Sequence, residues 1–137
     1  KEIGKKQFIY NYDQDSNVRK ITKSIEIVYG LRNFIGNANK FSKNTVYINL
    51  ISDSEITEVI IEDDGNGYPR DVLSKIGEPY LNTNYPQEKP KTGLGLGLFI
   101  GKTLLEKNFA SINCRNSKTR SGAEVVVRWN NRDLFNI

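Results

Sequence analysis

From Ile21 to Phe41 apolar residues recur at positions 21, 25, 28, 31, 35 and 38, and two strand-like runs, Val46–Ile51 and Ile56–Asp63, follow almost at once. A helical period that gives way abruptly to strands commits a chain to laying a helix on a sheet, because each element has one apolar side to bury. The two runs, joined by Ser52-Asp53-Ser54-Glu55, read as a β-hairpin. A strand is expected over residues 6–12, a short helix after Pro69, and a second long helix from about Leu96 to Lys107. A closing hairpin should pair Ala110–Arg115 with Ala123–Trp129 around Ser117–Gly122. The expected fold class is α+β, a two-layer α/β sandwich with a mixed five-stranded sheet covered on one face by about three helices.

The bulk numbers narrow the function classes. At 137 residues the chain is about one domain, taken as residues 1–137. A net charge of +4 suits a mild preference for anions and gives no case for nucleic acid. No apolar run reaches the roughly 18–20 residues of a membrane span, and no signal peptide is visible. The single cysteine, Cys114, excludes an internal disulfide and fits a reducing compartment. It shares a strand face with Ala110 and Ile112 and is expected to be a buried core thiol. The chain begins at Lys1 and has no methionine, so it is expected to be a piece of a longer protein. It also has no histidine, which removes the commonest general base and any His-based metal site.

Three segments carry candidate chemistry. Asn33, Asn37 and Lys40 stand at i, i+4 and i+7 on the first helix, so they share one face. Two amides one turn apart can hold a hydrated Mg²⁺, and Lys40 could meet phosphate oxygens; a solvated polar face is the plain alternative. Gly36 within that helix is costly and wants a reason. Asp63 continues the apolar row of Val59 and Ile61, where a carboxylate is expensive unless it receives hydrogen bonds. An adenine amino group would be such a donor, and an Asx-type turn before Gly65 and Gly67 is the alternative. The third segment is Gly93-Leu94-Gly95-Leu96-Gly97-Leu98, placed at the start of the second long helix. Bare amides at a helix start favour a phosphate. It follows a polar loop rather than a strand, which rules out a Rossmann fingerprint, and Leu96 stands where a Walker A loop ending Gly101-Lys102-Thr103 needs glycine. Residues 78–92 hold three of the four prolines and little periodicity, which suggests a lid.

In this order and spacing the segments resemble the Bergerat-type ATP-binding domain shared by gyrase, Hsp90, MutL and the sensor histidine kinases. Arg32 to Ser42 resembles the asparagine box, Asp63-x-Gly65-x-Gly67 the first glycine box, and Gly93 to Leu98 the second. Ile76-Gly77-Glu78-Pro79-Tyr80 resembles the segment that opens the family's ATP lid, implied here over about 78–95. Hydrolysing members carry a glutamate four residues before the metal asparagine, where this chain has Asn33. An amide has no basic lone pair to take a proton from water, so the resemblance points to the histidine-kinase branch. Glu78-Pro79-Tyr80, the run from Gly93 to Lys107 and the closing Gly122 to Trp129 look most like the RegB/PrrB redox-responsive kinases.

The resemblance implies a set of roles. Asn37 would bind Mg²⁺, with Asn33 and Lys40 as the catalytic-side residues near the phosphates. Asp63 would read the adenine, Gly65 and Gly67 would admit the base, and Phe41 and Tyr68 would wall the pocket. Gly93, Leu94, Gly95, Leu96, Gly97 and Leu98 would present amides to the phosphates of ATP, with Lys91 balancing charge. The γ-phosphate would pass to a histidine on a separate dimerisation domain of the same protein and then to a response regulator. The parent protein would be a membrane-anchored homodimer, with this piece monomeric, cytoplasmic and attached to an inner-membrane protein. A Bergerat ATPase and a binding module with a degenerate lid are the alternatives. Asn84, where family lids often carry Lys or Arg, and Phe41, where Tyr is common, are the departures.

Overall fold

A computed structural model of the chain describes residues 6–12, 25–73 and 94–134. In chain order these form β1 (Gln7–Tyr12), α1 (Ile25–Phe41), β2 (Thr45–Ser52), β3 (Ile56–Asp63), α2 (Arg70–Leu73), α3 (Leu94–Lys107), β4 (Ser111–Asn116), β5 (Ala123–Asn130) and α4 (Asn131–Leu134). The sheet order is β1-β2-β3-β5-β4. β1 runs parallel to β2 and the remaining pairs are antiparallel, so the sheet is mixed as expected. The residues expected to open the first helix, Ile21 to Ser24, lie outside the described residues. None of the described helices is long and apolar enough to cross a membrane.

Period-two alternation decides which side of the sheet the helices cover. Val46, Ile61, Val125, Val127 and Trp129 point to the helical side and are buried there with Phe34, Leu98, Leu105 and Leu134. Among the described residues the opposite side carries charge pairs rather than a second layer. Arg128 bonds Glu58 and Arg115 bonds Glu124, each across directly paired strands, and the Arg120 guanidinium lies 3.7 Å from the centre of the Tyr47 ring. Register also sets Glu62 opposite Glu124. The Ser117 hydroxyl, 2.8 Å from Glu62, and Arg115 on Glu124 offset that repulsion.

The two long helices pack side by side in opposite directions, and three glycines let them approach. A Cβ at Gly30 would lie 2.6 Å from Leu105, one at Gly101 2.8 Å from the Phe34 ring, and one at Gly97 3.4 Å from the Asn37 amide. Positions 30, 34 and 37 of one helix thus meet 105, 101 and 97 of the other, steps of three and four that keep one helix face. The seam is pinned at its far end by Glu26 at the start of α1, which accepts from Lys107 at 2.8 Å and from Asn108 at 3.1 Å. α3 then stops in a Schellman pattern, with Ala110 N bonding Leu105 O and Phe109 N bonding Glu106 O. Phe109 takes the left-handed position usually given to glycine, with φ 72°.

One boundary needs correction, and two features stand outside the sequence pattern. α3 starts at Leu94 rather than near Leu96, so Gly95 and Gly97 sit inside its first turn, and residues 94 and 95 of the expected lid are helical. The physical reason is the seam itself: Gly97 and Gly101 follow the helical spacing that α1 demands. Gly36 has open space around it and supplies no packing reason for its presence. The short α4 has no signal in the sequence pattern; Asn131 starts it by donating its amide N–H to Glu55 O and its side-chain amide to Asp53 O, while accepting from Thr57.

Candidate functional site

Asp63 ends β3 on the helical side of the sheet and is buried. Its Oδ1 accepts from the amides of Gly65 at 2.8 Å and Ala123 at 3.2 Å. Side chains at two neighbouring positions would destroy this arrangement: a Cβ at Gly65 would collide with the Phe41 carbonyl, and one at Gly122 with Asp63 itself. Burial pushes the Asp63 carboxyl above its ordinary range, and the nearby Asp64 adds to that; the two amides and the more distant Lys6 pull the other way. A buried acid held this way favours a donor at its remaining oxygen.

Asp64 does different work from its neighbour. Its carboxylate accepts from the backbone amides of Lys43, Asn44 and Thr45, which fixes the turn from α1 into β2. Burial alone would raise it, but these backbone bonds outweigh that and hold its carboxyl below the usual value. Lys6 closes the same corner, donating to Asn39 O at 2.5 Å and Ser42 O at 2.7 Å at the carbonyl end of α1.

Between α1, the ends of β3 and β5 and the strap 66–69 lies a cavity of about 220 Å³. Its floor is Ile61, Asp63, Ala123 and Val125; α1 contributes Phe34, Asn37, Ala38 and Phe41; Asn66, Gly67, Tyr68 and Pro69 form the third wall. This is below the roughly 300–1,000 Å³ of sites that enclose a whole drug-sized ligand. Its Asn37 end lies against the first turn of α3 at Gly97. Asp63 is the only carboxylate among the described lining residues.

The structure brings together Asn37, Phe41, Asp63, Gly67 and Tyr68 around this cavity. Gly65 lies just behind it, under the Phe41 carbonyl. Asn33 and Lys40 flank it instead of lining it. Asn33 donates to Tyr29 O at 2.8 Å and sits beside Gly101, one turn along the seam. Lys40 is exposed on the last turn, its ammonium 5.4 Å from the centre of the Phe41 ring. Gly97 and Leu98 belong to α3, Leu98 buried in the core. Lys91, Gly93 and Asn84 lie outside the described residues, as does the expected lid up to 93; Leu94, Gly95 and Leu96 are placed as helix backbone.

Asn37 supplies the test of fit for a metal and phosphates. Its Nδ2 is buried with no hydrogen-bond partner among the described residues. It lies where Gly97 brings the first turn of α3 against α1. An unpaired donor at a helix start suits a phosphate oxygen, and the oxygen of the same amide suits a hydrated cation. Among the described residues no three Cys, Asp or Glu side chains cluster as a metal cage.

Several lining residues escaped sequence reasoning. Phe34 and Ala38 follow from the helical period that holds Asn37. Ala123 and Val125 required knowing that β5 pairs with β3, Ile61 opposite Val125, which no local pattern states. Cys114 is half-buried against the core, as expected in kind; burial pushes its thiol up to about 11, eased by a hydrogen bond with Tyr68.

The family described as "Histidine kinase-, DNA gyrase B-, and HSP90-like ATPase" matches residues 22–133. The chain is 36% identical over 124 residues to the sensor histidine kinase RegB of Cereibacter sphaeroides, covering 80% of this chain and 27% of that protein. It is 32% identical over 99 residues to the sensor protein kinase PilS of Pseudomonas aeruginosa, covering 67% of this chain and 18% of the relative. The chain thus spans about a quarter or less of these relatives' length. In fold it is similar to the mycobacterial sensor histidine kinase MprB, with a TM-score of 0.69 at 21% identity, covering 90% of this chain and 80% of that one.

Proposed function

The chain belongs to the histidine kinase-, DNA gyrase B- and HSP90-like ATPase family as a catalytic domain of the sensor-histidine-kinase type, and we propose that it binds Mg-ATP and donates the γ-phosphate to a histidine on a separate dimerisation domain. One pairing carries this reading: among the described residues, a buried carboxylate with an unengaged oxygen at the cavity floor faces the same cavity as a buried amide nitrogen without a partner. Asp63 would accept from the adenine amino group, and Phe41 and Tyr68 would sandwich the base. The Asn37 amide would meet phosphate and Mg²⁺, with Asn33 and Lys40 beyond it. Lys91 and the amides from Gly93 to Leu98 complete the proposed phosphate end. Mg²⁺, when bound, neutralises charge on the phosphates.

The described residues favour transfer over hydrolysis. Asp63, the sole carboxylate among the described lining residues, is committed in this reading to the base, Asn33 has no basic lone pair, and the chain has no histidine. No described residue is placed to deprotonate water, which favours a nucleophile supplied by another domain. Its nitrogen would bond the γ-phosphorus as the bond to the ADP oxygen breaks. Positioning and charge compensation suffice for that step. The phosphate would pass on to a response-regulator aspartate, with the domain on the cytoplasmic side of a membrane-anchored homodimer.

The test is binding of a non-hydrolysable ATP analogue by calorimetry, with and without Mg²⁺, to the native chain and to Asp63→Asn and Asn37→Ala. Binding should need Mg²⁺ and be lost or much weakened in both variants. Equal binding by all three would refute the site. Steady ATP hydrolysis by the chain alone would favour the ATPase reading instead.

A further inference from the structure

The cavity wall at 66–69 is irregular backbone between the end of β3 and the short α2. Such a strap needs ties to hold a shape. At its start Gly65 N bonds Asp63 and Gly65 O accepts from the Ser121 hydroxyl at 3.3 Å; at its end Pro69 O accepts from Val72 and Leu73. Between these, among the described residues, the tie comes from Asn116, 48 positions away at the end of β4. Its Oδ1 accepts from Tyr68 N at 2.6 Å and its Nδ2 donates to Tyr68 O at 3.1 Å. One amide thus satisfies both main-chain groups of a single residue, as a neighbouring strand would.

Two further observations converge on the same contact. Gly67 has φ +79°, and a Cβ there would stand 2.7 Å from Asn116 Oδ1, so the close approach requires glycine at 67. Cys114 lies two residues before Asn116 on the same strand face, beside the buried Tyr68 side chain. One face of β4 therefore holds the Tyr68 backbone and packs beside its side chain.

We propose that Asn116 is a positioning residue for the nucleotide base: without lining the cavity, it sets the wall formed by Gly67, Tyr68 and Pro69 at the spacing the base requires. This rests on the reading of the cavity as a nucleotide site. Loosening the wall leaves Asp63 and the phosphate end intact, so the loss falls on the base alone. A contact that serves only global stability behaves differently, because a chain that remains folded keeps its affinity whatever its melting temperature.

The test uses this chain, native and as Asn116→Ala, Asn116→Ser and the control Asn113→Ala, an exposed residue on the other face of the strand. Dissociation constants are measured for ADP, AMP and adenosine, with ligand-free melting and the hydrogen-exchange rate of the Tyr68 amide. Asn116→Ala should weaken all three ligands by a common factor of about five to ten, the scale of one or two lost hydrogen bonds. Asn116→Ser, which keeps a hydroxyl, should fall between, and Asn113→Ala should match native. Affinities within about twofold of native, with a lower melting temperature, would overturn the proposal and leave the nucleotide site standing. Failure of the native chain to bind any of the three would bring down the nucleotide reading and this proposal with it. Should the variants not fold, the native Tyr68 amide decides: protection like that of the β4–β5 ladder supports the tie, and loop-like exchange overturns it.

Discussion

Replacing Asn37 by alanine should make the ligand-free chain more stable and the ligand-bound chain less so. The buried Nδ2 of Asn37 has no partner among the described residues. An unsatisfied buried donor of this kind costs about 1–3 kcal/mol. Alanine also gains up to about 0.7 kcal/mol of helix propensity in the interior of α1. Against these stands the packing lost where the amide meets Gly97 and the cavity, about 0.8 kcal/mol for each CH₂-sized unit of burial. The balance is a gain of about 1 kcal/mol, the desolvation cost being the largest of the three. For 137 residues the unfolding entropy near 60 °C is about 0.3 kcal/mol/K, so the melting temperature should rise by about 3–4 °C. Melting followed by circular dichroism, first without ligand and then with Mg-ADP, is the assay. At 100 times its dissociation constant Mg-ADP should stabilise the native chain by about 2.7 kcal/mol and the variant by much less, so the order of the two melting temperatures should reverse. A variant that melts below native without ligand would refute the orphan-amide argument, and an unreversed order would refute the role of Asn37 at the ligand.

Asp63→Asn should separate folding from binding in a similar way. The folded carboxyl is raised above 3.8, so the stability its proton contributes is complete below that value and is lost as pH rises through the higher folded value. At pH 7 the neutral amide, which still accepts from Gly65 and Ala123, should therefore melt no lower than native. In acid the two should converge, and nucleotide binding by the native chain should fade over the same range; a variant clearly less stable at pH 7 contradicts this. Gly101→Ala should cost about 1–3 kcal/mol in denaturant unfolding by driving a methyl into Phe34, whereas Gly36→Ala should gain about 1 kcal/mol. Equal effects of the two would dismiss the glycine seam. Phe109→Gly should raise stability by about 1 kcal/mol, since Phe109 is left-handed and 63% exposed; a loss would show that its ring packs more than its exposure suggests.

The parts of the site readable in the sequence were those set by a single period. Asn37 follows from spacing along one helix, and Asp63 from alternation along one strand. Gly65 and Gly67 were marked by the turn they make. The parts that were not readable depend on pairing between distant segments. Ala123 reaches Asp63 only because β5 lies antiparallel beside β3, and Asn116 meets Tyr68 only because β4 adds outside β5. The glycine run was half legible. Its spacing of two suggested bare amides facing a ligand, yet the structure puts Gly97 on a spacing of four with Gly101, where helix packing sets the demand. Lys40 shows the limit from the other side: it shares the face of Asn37 by period, but at the last turn of α1 that face has left the cavity.

The polar side chains that frame the cavity hold main chain rather than one another. Asp63 takes the amides of Gly65 and Ala123, Asp64 those of Lys43 to Thr45, and Asn116 both groups of Tyr68. A frame that reads only backbone is indifferent to the identity of the residues it fixes. The walls at Ala38, Phe41, Asn66 and Ala123 can then drift or be redesigned one at a time, for a bulkier base or an inhibitor, with the scaffold undisturbed. The conservatism of such a pocket would sit in a few acids, amides and glycines, and its diversity in the surfaces that touch the ligand.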